Sequence, residues 1–298
     1  MSDSVRIVGV SQNLSYSAFE IFPSVNEVRL ASGTAFAYKH NGRSYFITNW
    51  HNVTGRNPLT YACLSAHAAI PDNIQFRYPE LKFSGENKLL GWQGRKLKLY
   101  DDADKPIWLE HPQHGSLVDV VAIEVYGIDE TAMLFTNENE DVSKYQNIGA
   151  GTEAMILGFP HGISGGSKFP VWKRGSIASE PDFDLDNLPK FILDTATRKG
   201  MSGSPVFAKL TGFNLPVGAL DMGEGILGTC YEFLGCYSGS IGREPFDAQL
   251  GIVWKERAII EIIEGSKRGV SSHVLSVREH PKKGDQHFFD WDDWGFAD

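Results

Sequence analysis

The sequence predicts an all-β fold of barrels or sandwiches, and three observations carry that prediction. Short apolar and β-branched runs recur along the 298 residues. Clusters of Gly, Pro, Asn and Asp separate them, and strands never alternate regularly with long helical patterns. The first clear element is a hairpin: residues 32–38 (SGTAFAY) and 44–49 (SYFITN) flank an Asn41-Gly42 turn. Strands are expected next at 73–78, 96–100 and 117–126. After a polar stretch, 136–151, a second series covers 153–159, 169–179, 190–197, 204–209, 229–238 and 249–254. The one convincing helix is 255–264, KERAIIEIIE, whose isoleucines form an apolar stripe and which Gly265 ends. It should pack on the strands behind it. The chain thus divides into 1–135, a linker at 136–150, a second unit at 151–265 and an acidic, aromatic tail at 266–298, expected to dock on its own domain.

Composition narrows the function classes. Lys and Arg number 28 against 37 Asp and Glu, a net charge of −9, which argues against a general nucleic-acid binder. There is no run of 18 apolar residues, so no membrane helix is expected. The N-terminus lacks a basic start followed by an apolar core, the mark of a secretory leader. Cys63, Cys230 and Cys236 form no CxxC pair and read as small buried hydrophobes in a reducing compartment. The expected location is therefore cytoplasmic. Without HExxH or a tight His/Cys cluster, neither metal nor cofactor is expected.

Chemistry concentrates in Arg198–Phe207, RKGMSGSPVF. A serine hydroxyl is a weak nucleophile and needs a base and a group to orient that base. Ser202 lies between glycines that let the backbone turn sharply, and the amides of Gly200 and Ser202 are candidates to converge on an oxyanion. Ser204 opens the next strand and should point elsewhere. His51, in ITNWHNV at the end of an apolar strand, is the candidate base. Asp119, at the head of the apolar run LVDVVAIEV, is the candidate orienting carboxylate, because a carboxylate there needs hydrogen-bond partners. Ser164 in HGISGG has no apolar strand directly behind it and ranks below Ser202.

In that order TNWHNV, DVVAIEV and GMSGSPVF resemble the histidine, aspartate and nucleophile motifs of chymotrypsin-like serine peptidases, nearest the bacterial HtrA-like and glutamyl-endopeptidase-like branch. SGTAFAY and LGFPHG add to the resemblance, which covers about residues 20–265. It implies two six-stranded antiparallel β-barrels, a C-terminal helix, and a peptidase site in the cleft between barrels. The implied catalytic residues are His51, Asp119 and Ser202, with the Gly200 and Ser202 amides as oxyanion hole. The substrate is then a protein or peptide, with a regulatory protein partner a further possibility. Pocket walls are expected at Ala196, Thr197 and Lys199 and at Tyr237, Ser238, Gly239 and Ser240. Ala196 and Tyr237 stand where relatives specific for basic or glutamyl residues carry an acid or a histidine, so an uncharged substrate side chain is expected. Met201 stands where the digestive enzymes carry an aspartate, so activation by a freed N-terminus is not expected.

Two other readings compete: a catalytically silent binding module on the same fold, and an α/β-hydrolase esterase, for which only late partners such as Asp221, Asp247 and His273 exist. The long region 58–116, with Trp92, Trp108, His111 and His114, is expected to flank the cleft. The Gly-rich segment 214–231 is expected to cover it as a lid.

Overall fold

The Asn41-Gly42 turn forms as its residues dictate. Both take positive φ, 49° and 74°, and join strand β3 (Gly33–His40) to β4 (Arg43–Thr48) in a tight hairpin. This hairpin belongs to a computed structural model describing residues 13–279 apart from 85–86, 128–132, 139–143, 146–147, 197 and 242–248. The tail from 280 onward, including its aromatic stretch, therefore lies outside the described residues.

The first unit comprises β1 (Ala18–Val25), β2 (Val28–Arg29), β3, β4, the short helix α1 (Trp50–Thr54), β5 (Asn73–Ser84), β6 (Asn87–Lys98) and β7 (Val121–Glu124). Its sheet runs β6-β5-β1-β3-β4-β7, with β2 on β1. Irregular backbone joins the two ends. Ile107 donates to Leu99 (3.0 Å), and Leu109 and Ala122 exchange bonds of 2.8 and 3.2 Å, so residues 106–109 close the ring. The second unit comprises β8 (Glu153–Gly158), β9 (Val171–Ile177), β10 (Lys190–Asp194), β11 (Pro205–Asn214), β12 (Ile226–Ile241) and β13 (Leu250–Lys255). These six strands form a closed barrel in the order β10-β13-β12-β11-β8-β9, and helix α2 (Glu256–Gly265) follows. The predicted all-β fold with a C-terminal helix is present.

Alternation of side chains explains why β3 and β4 are buried on both faces. Ala35, Ala37 and Phe46 fill the first unit with Phe19, Ile21, Phe76 and Trp108. Phe36, Tyr38, Tyr45 and Ile47 point the other way, into a core shared with Leu157, Phe207, Phe233 and Trp254 of the second unit. Ala258, Ile259, Ile262 and Ile263 of α2 enter that same core. The helix therefore seals the seam between the units as well as packing on its own barrel. A third cluster, with Ile156, Leu193, Val206, Tyr237 and Val253, fills the second barrel.

Several expectations are corrected. The sequence reading named no strand before residue 32, yet β1 links β3 to β5. Pro23 is tolerated in β1 because it lies beyond the last residue paired with β3, Ile21 opposite Gly33, although it still lies opposite Ile74 of β5. The strand expected at 117–126 shrinks to β7, leaving Asp119 ahead of it. The presumed lid is a hairpin arm. Strands β11 and β12 stay paired out to Asn214 and Ile226, roughly 30 Å along β11 from its start at Pro205 at ~3.3 Å per residue, and Val217 bonds to Lys144. In the 58–116 region, Trp108 is a core residue and the His111 ring bonds to Glu261 (2.8 Å). Trp92 also reaches the second unit, its ring 5.4 Å from that of Phe169. The α/β-hydrolase reading falls, because every described strand pairing is antiparallel and His273 stacks near Tyr100. Cys230 and Cys236 are buried thiols as expected, whereas Cys63 is half-exposed.

The seam core yields a direct test. Ile262→Ala should cost about 2–5 kcal/mol of stability in urea denaturation, as for other fully buried aliphatic truncations, whereas a loss under about 0.5 kcal/mol would mean α2 does not seal the units.

Candidate active site

His51 sits in α1, one turn of helix at the end of β4, with its ring 2% exposed. Gly55, at φ 64°, stops that turn by bonding to the His51 carbonyl (2.8 Å). Asp119 lies where the chain bends before β7, with Val120 bonded to the Val118 carbonyl (2.8 Å). That bend, in place of the expected strand, turns the carboxylate toward α1.

The Asp119 carboxylate is fully buried and takes donors from three directions. The His51 backbone N–H reaches Oδ1 (3.0 Å), and His51 Nδ1 lies 3.1 and 3.0 Å from the two oxygens. The Ser238 hydroxyl, from β12 of the second unit, donates to Oδ2 at 2.5 Å. The Asp119 carbonyl meanwhile accepts from Asn49 Nδ2 (2.7 Å). A carboxylate facing Nδ1 fixes the tautomer with the proton on that nitrogen. Burial pushes the His51 pKa below its ordinary 6.5, and the Asp119 charge opposes that shift without cancelling it. The resting imidazole is thus neutral near pH 7. Burial, reinforced by the Asp119 charge, drives the neighbouring Cys236 thiol well up, so it stays protonated.

The Ser202 loop crosses the seam and is tied down beside this pair. The Ser202 carbonyl accepts from the Thr34 N–H (2.8 Å) and lies 3.4 Å from Nδ2 of Asn52, the residue after His51. The Thr34 hydroxyl donates to the Gly200 carbonyl (2.9 Å). Gly203 is required at its place: a Cβ there would lie 2.0 Å from the Thr34 carbonyl and 2.6 Å from Thr48 Oγ1. Ser204 is fully buried with its hydroxyl toward Gly158, away from the cleft as expected. Ser164 is exposed on the loop after β8.

Residues 198–201 form a turn, closed by Met201 N–H on the Arg198 carbonyl (3.2 Å), with Gly200 at φ 92°. The Lys199 carbonyl accepts from His161 N–H (2.7 Å). The C=O and N–H of a trans peptide point in opposite directions, so the Gly200 N–H is aimed away from His161. Among the described residues, neither the Gly200 nor the Ser202 N–H has a hydrogen-bond acceptor, and the Ser202 hydroxyl makes no hydrogen bond. Two unused amides therefore flank a half-exposed serine.

Of the predicted pocket residues, Ala196 is half-buried, with its carbonyl bound by Lys173 Nζ, and Lys199 is exposed. The Tyr237 ring is buried over Gly251, where a Cβ would lie 2.4 Å from a ring carbon. Gly239 follows a bulge in β12, and Ser240 pairs with Gly251. Ser238 is corrected: its side chain leaves the pocket wall and binds Asp119. Thr197 lies outside the described residues.

Two antiparallel β units supply the parts, histidine and aspartate from the first and the serine loop from the second. This all-β architecture of two antiparallel units is consistent with a chymotrypsin-like fold. No protein-family model matches the chain, and no curated protein matches its sequence. Among solved structures it is similar to the serine endoprotease from Yersinia pestis, at 12% identity and TM-score 0.45, over 85% of this chain and 64% of that one. It is also similar to the thermostable serine protease AL20 from an extremophilic microorganism (12%, 0.45; 86% and 99%) and to human heparin binding protein (12%, 0.42; 87% and 96%). The chain thus spans 64% of the Yersinia protein's length.

Sequence reasoning missed the clamps around the cleft: Thr34, Thr48, Asn49 and Asn52. The signal was their burial-prone setting. Polar residues inside the apolar runs GTAFAY and FITNWHNV need partners, and here the partners are the serine loop for Thr34 and Asn52, Asp119 for Asn49, and the Thr34 carbonyl for Thr48.

Three measurements check this geometry. The His51 ring, followed by NMR, should titrate below 6.5, and Asp119→Asn should move it lower still because the raising charge is lost. Since the folded state resists protonation, His51's contribution to stability should be full above 6.5 and shrink as pH falls through that value. Gly203→Ala should destabilise by about 2 kcal/mol or more in thermal denaturation, while Gly212→Ala, also at positive φ but in open space, should cost about 1 kcal/mol.

Proposed function

We propose that this chain is a serine endopeptidase acting on proteins or peptides through an acyl-enzyme, with Ser202 as nucleophile, His51 as base and Asp119 orienting the base. The observation that carries the reading is the buried His51–Asp119 pair beside a glycine-flanked serine loop with two unpaired amides. A neutral imidazole is the form able to accept the Ser202 proton. Attack on the scissile carbonyl forms the Oγ–C bond, and the oxygen takes the negative charge within reach of the Gly200 and Ser202 amides. His51, now an imidazolium, is stabilised by the ionised Asp119 and returns its proton to the leaving amine. Water then hydrolyses the ester by the same route in reverse. The hydrogen bond from Ser202 to His51 forms in the substrate complex, as catalytic hydrogen bonds commonly tighten only there.

Ser238 and Asn49 act through Asp119. Their bonds hold the carboxylate at the histidine, so Ser238 belongs with the positioning residues. A binding-only role would leave unexplained a desolvated acid–imidazole pair aimed at a serine loop.

Ser202→Ala should abolish hydrolysis of a fluorogenic peptide library while the melting temperature stays within a few degrees. His51→Ala should lose nearly as much, about 10⁴-fold or more, and the double variant should be scarcely slower than either single one. Equal turnover by wild type and Ser202→Ala would refute the assignment.

A further inference from the structure

Three cations lie near this cleft, Lys173, Arg198 and Lys199; of these Lys173 alone is half-buried, and the catalytic reading does not use it. It lies on β9 directly opposite Ile156 of β8, and Gly175, two residues on, lies opposite Ala154. Cross-strand partners share a face, and Ile156 and Ala154 both point into the second barrel with Val206, Met201 and Tyr237. The Lys173 side chain therefore heads inward, at the mouth of the barrel under the serine loop. Its ammonium donates to the carbonyl of Ala196, six residues ahead of Ser202. Among the described residues no carboxylate pairs with it, although the chain carries a net charge of −9. By contrast its neighbours on the same barrel, Arg174 and Lys209, both pair with Glu153. Burial and the nearby Arg198 charge each depress the Lys173 pKa, which marks a cation held without its counterion.

A half-buried ammonium beside the nucleophile loop is costly unless an anion meets it. The Gly203 N–H bonds to the Tyr237 carbonyl (2.9 Å), so the Tyr237 strand runs alongside the serine loop as Ala196 does on the other side. Gly251 leaves the room that the Tyr237 phenol occupies.

Resting on the peptidase reading above, we propose that Lys173 is a specificity-determining residue and that the enzyme cleaves after residues bearing a side-chain carboxylate, glutamate or aspartate. This replaces the uncharged preference expected from Ala196 and Tyr237. Those two positions carry no charge, but the charge arrives from a different strand, 23 residues before Ala196.

The test compares matched peptides that differ only in the residue before the scissile bond, Glu against Gln and Asp against Asn, on the full chain. The wild type should prefer the acid by about thirtyfold or more in kcat/KM, the scale of a charge-assisted hydrogen bond. Lys173→Met should bring that ratio near one, Lys173→Arg should restore much of it, and Lys173→Glu should invert it. A wild-type ratio near one would overturn the proposal, with no variant needed. So would a Lys173→Met enzyme that slows equally on all four peptides, since that is the behaviour of a lysine that only braces the Ala196 carbonyl. Labelling of Ser202 by an uncharged alkyl fluorophosphonate, run in parallel, separates the two failures. Labelling with no acid preference rejects Lys173 alone, and absence of labelling rejects the peptidase reading together with it.

Discussion

One buried carboxylate constrains most of this molecule. Asp119 has no access to water, so an ionised group there survives only if protein donors replace its hydration. The donors come from both sides of the seam: the backbone and ring of His51 from the first unit, the hydroxyl of Ser238 from the second. The requirement that stabilises the charge therefore also fixes the imidazole and docks one barrel on the other. Removing any partner would leave a desolvated charge underserved, a larger penalty than the loss of an ordinary hydrogen bond.

The apolar architecture makes that arrangement reproducible. β3 and β4 are buried on both faces, so a shift of one residue in register would exchange the side chains of two cores at once. Their ends carry Thr34, which binds the serine loop, and Thr48, which binds the Thr34 carbonyl, and β4 feeds directly into the turn of helix that holds His51. Helix α2 closes the same seam from behind with three isoleucines. Geometry at the cleft is thus inherited from packing well away from it, which is how a half-exposed loop is held beside a buried pair without a disulfide among the described residues.

What was legible in the sequence follows from how local each signal is. The Asn41-Gly42 hairpin needs only two residues with positive φ, and the apolar stripe of α2 needs only ten in a row. His51, Asp119 and Ser202 were legible because each sits in a short motif whose setting limits what the side chain can do, and the structure brings His51 and Asp119 into contact beside the Ser202 loop. Pairings across the chain were not. Ser238 reads as a pocket wall until β12 is seen to carry its hydroxyl to Asp119, 119 residues earlier. Lys173 reads as a surface lysine until its strand is paired with β8. The paired arm of β11 and β12 was hidden by its glycines, because glycine signals a strand break unless the pairing partner is known.

The central claim is that Ser202, His51 and the two free amides act on one reacting carbon. A crystal structure of the chain inactivated by a peptidyl phosphonate tests it most directly. The account predicts phosphorus bonded to Ser202 Oγ, with its anionic oxygen between the Gly200 and Ser202 amides and His51 Nε2 facing the leaving-group side. Phosphorus on any other residue, or on Ser202 with the oxygen pointing away from both amides, would contradict it.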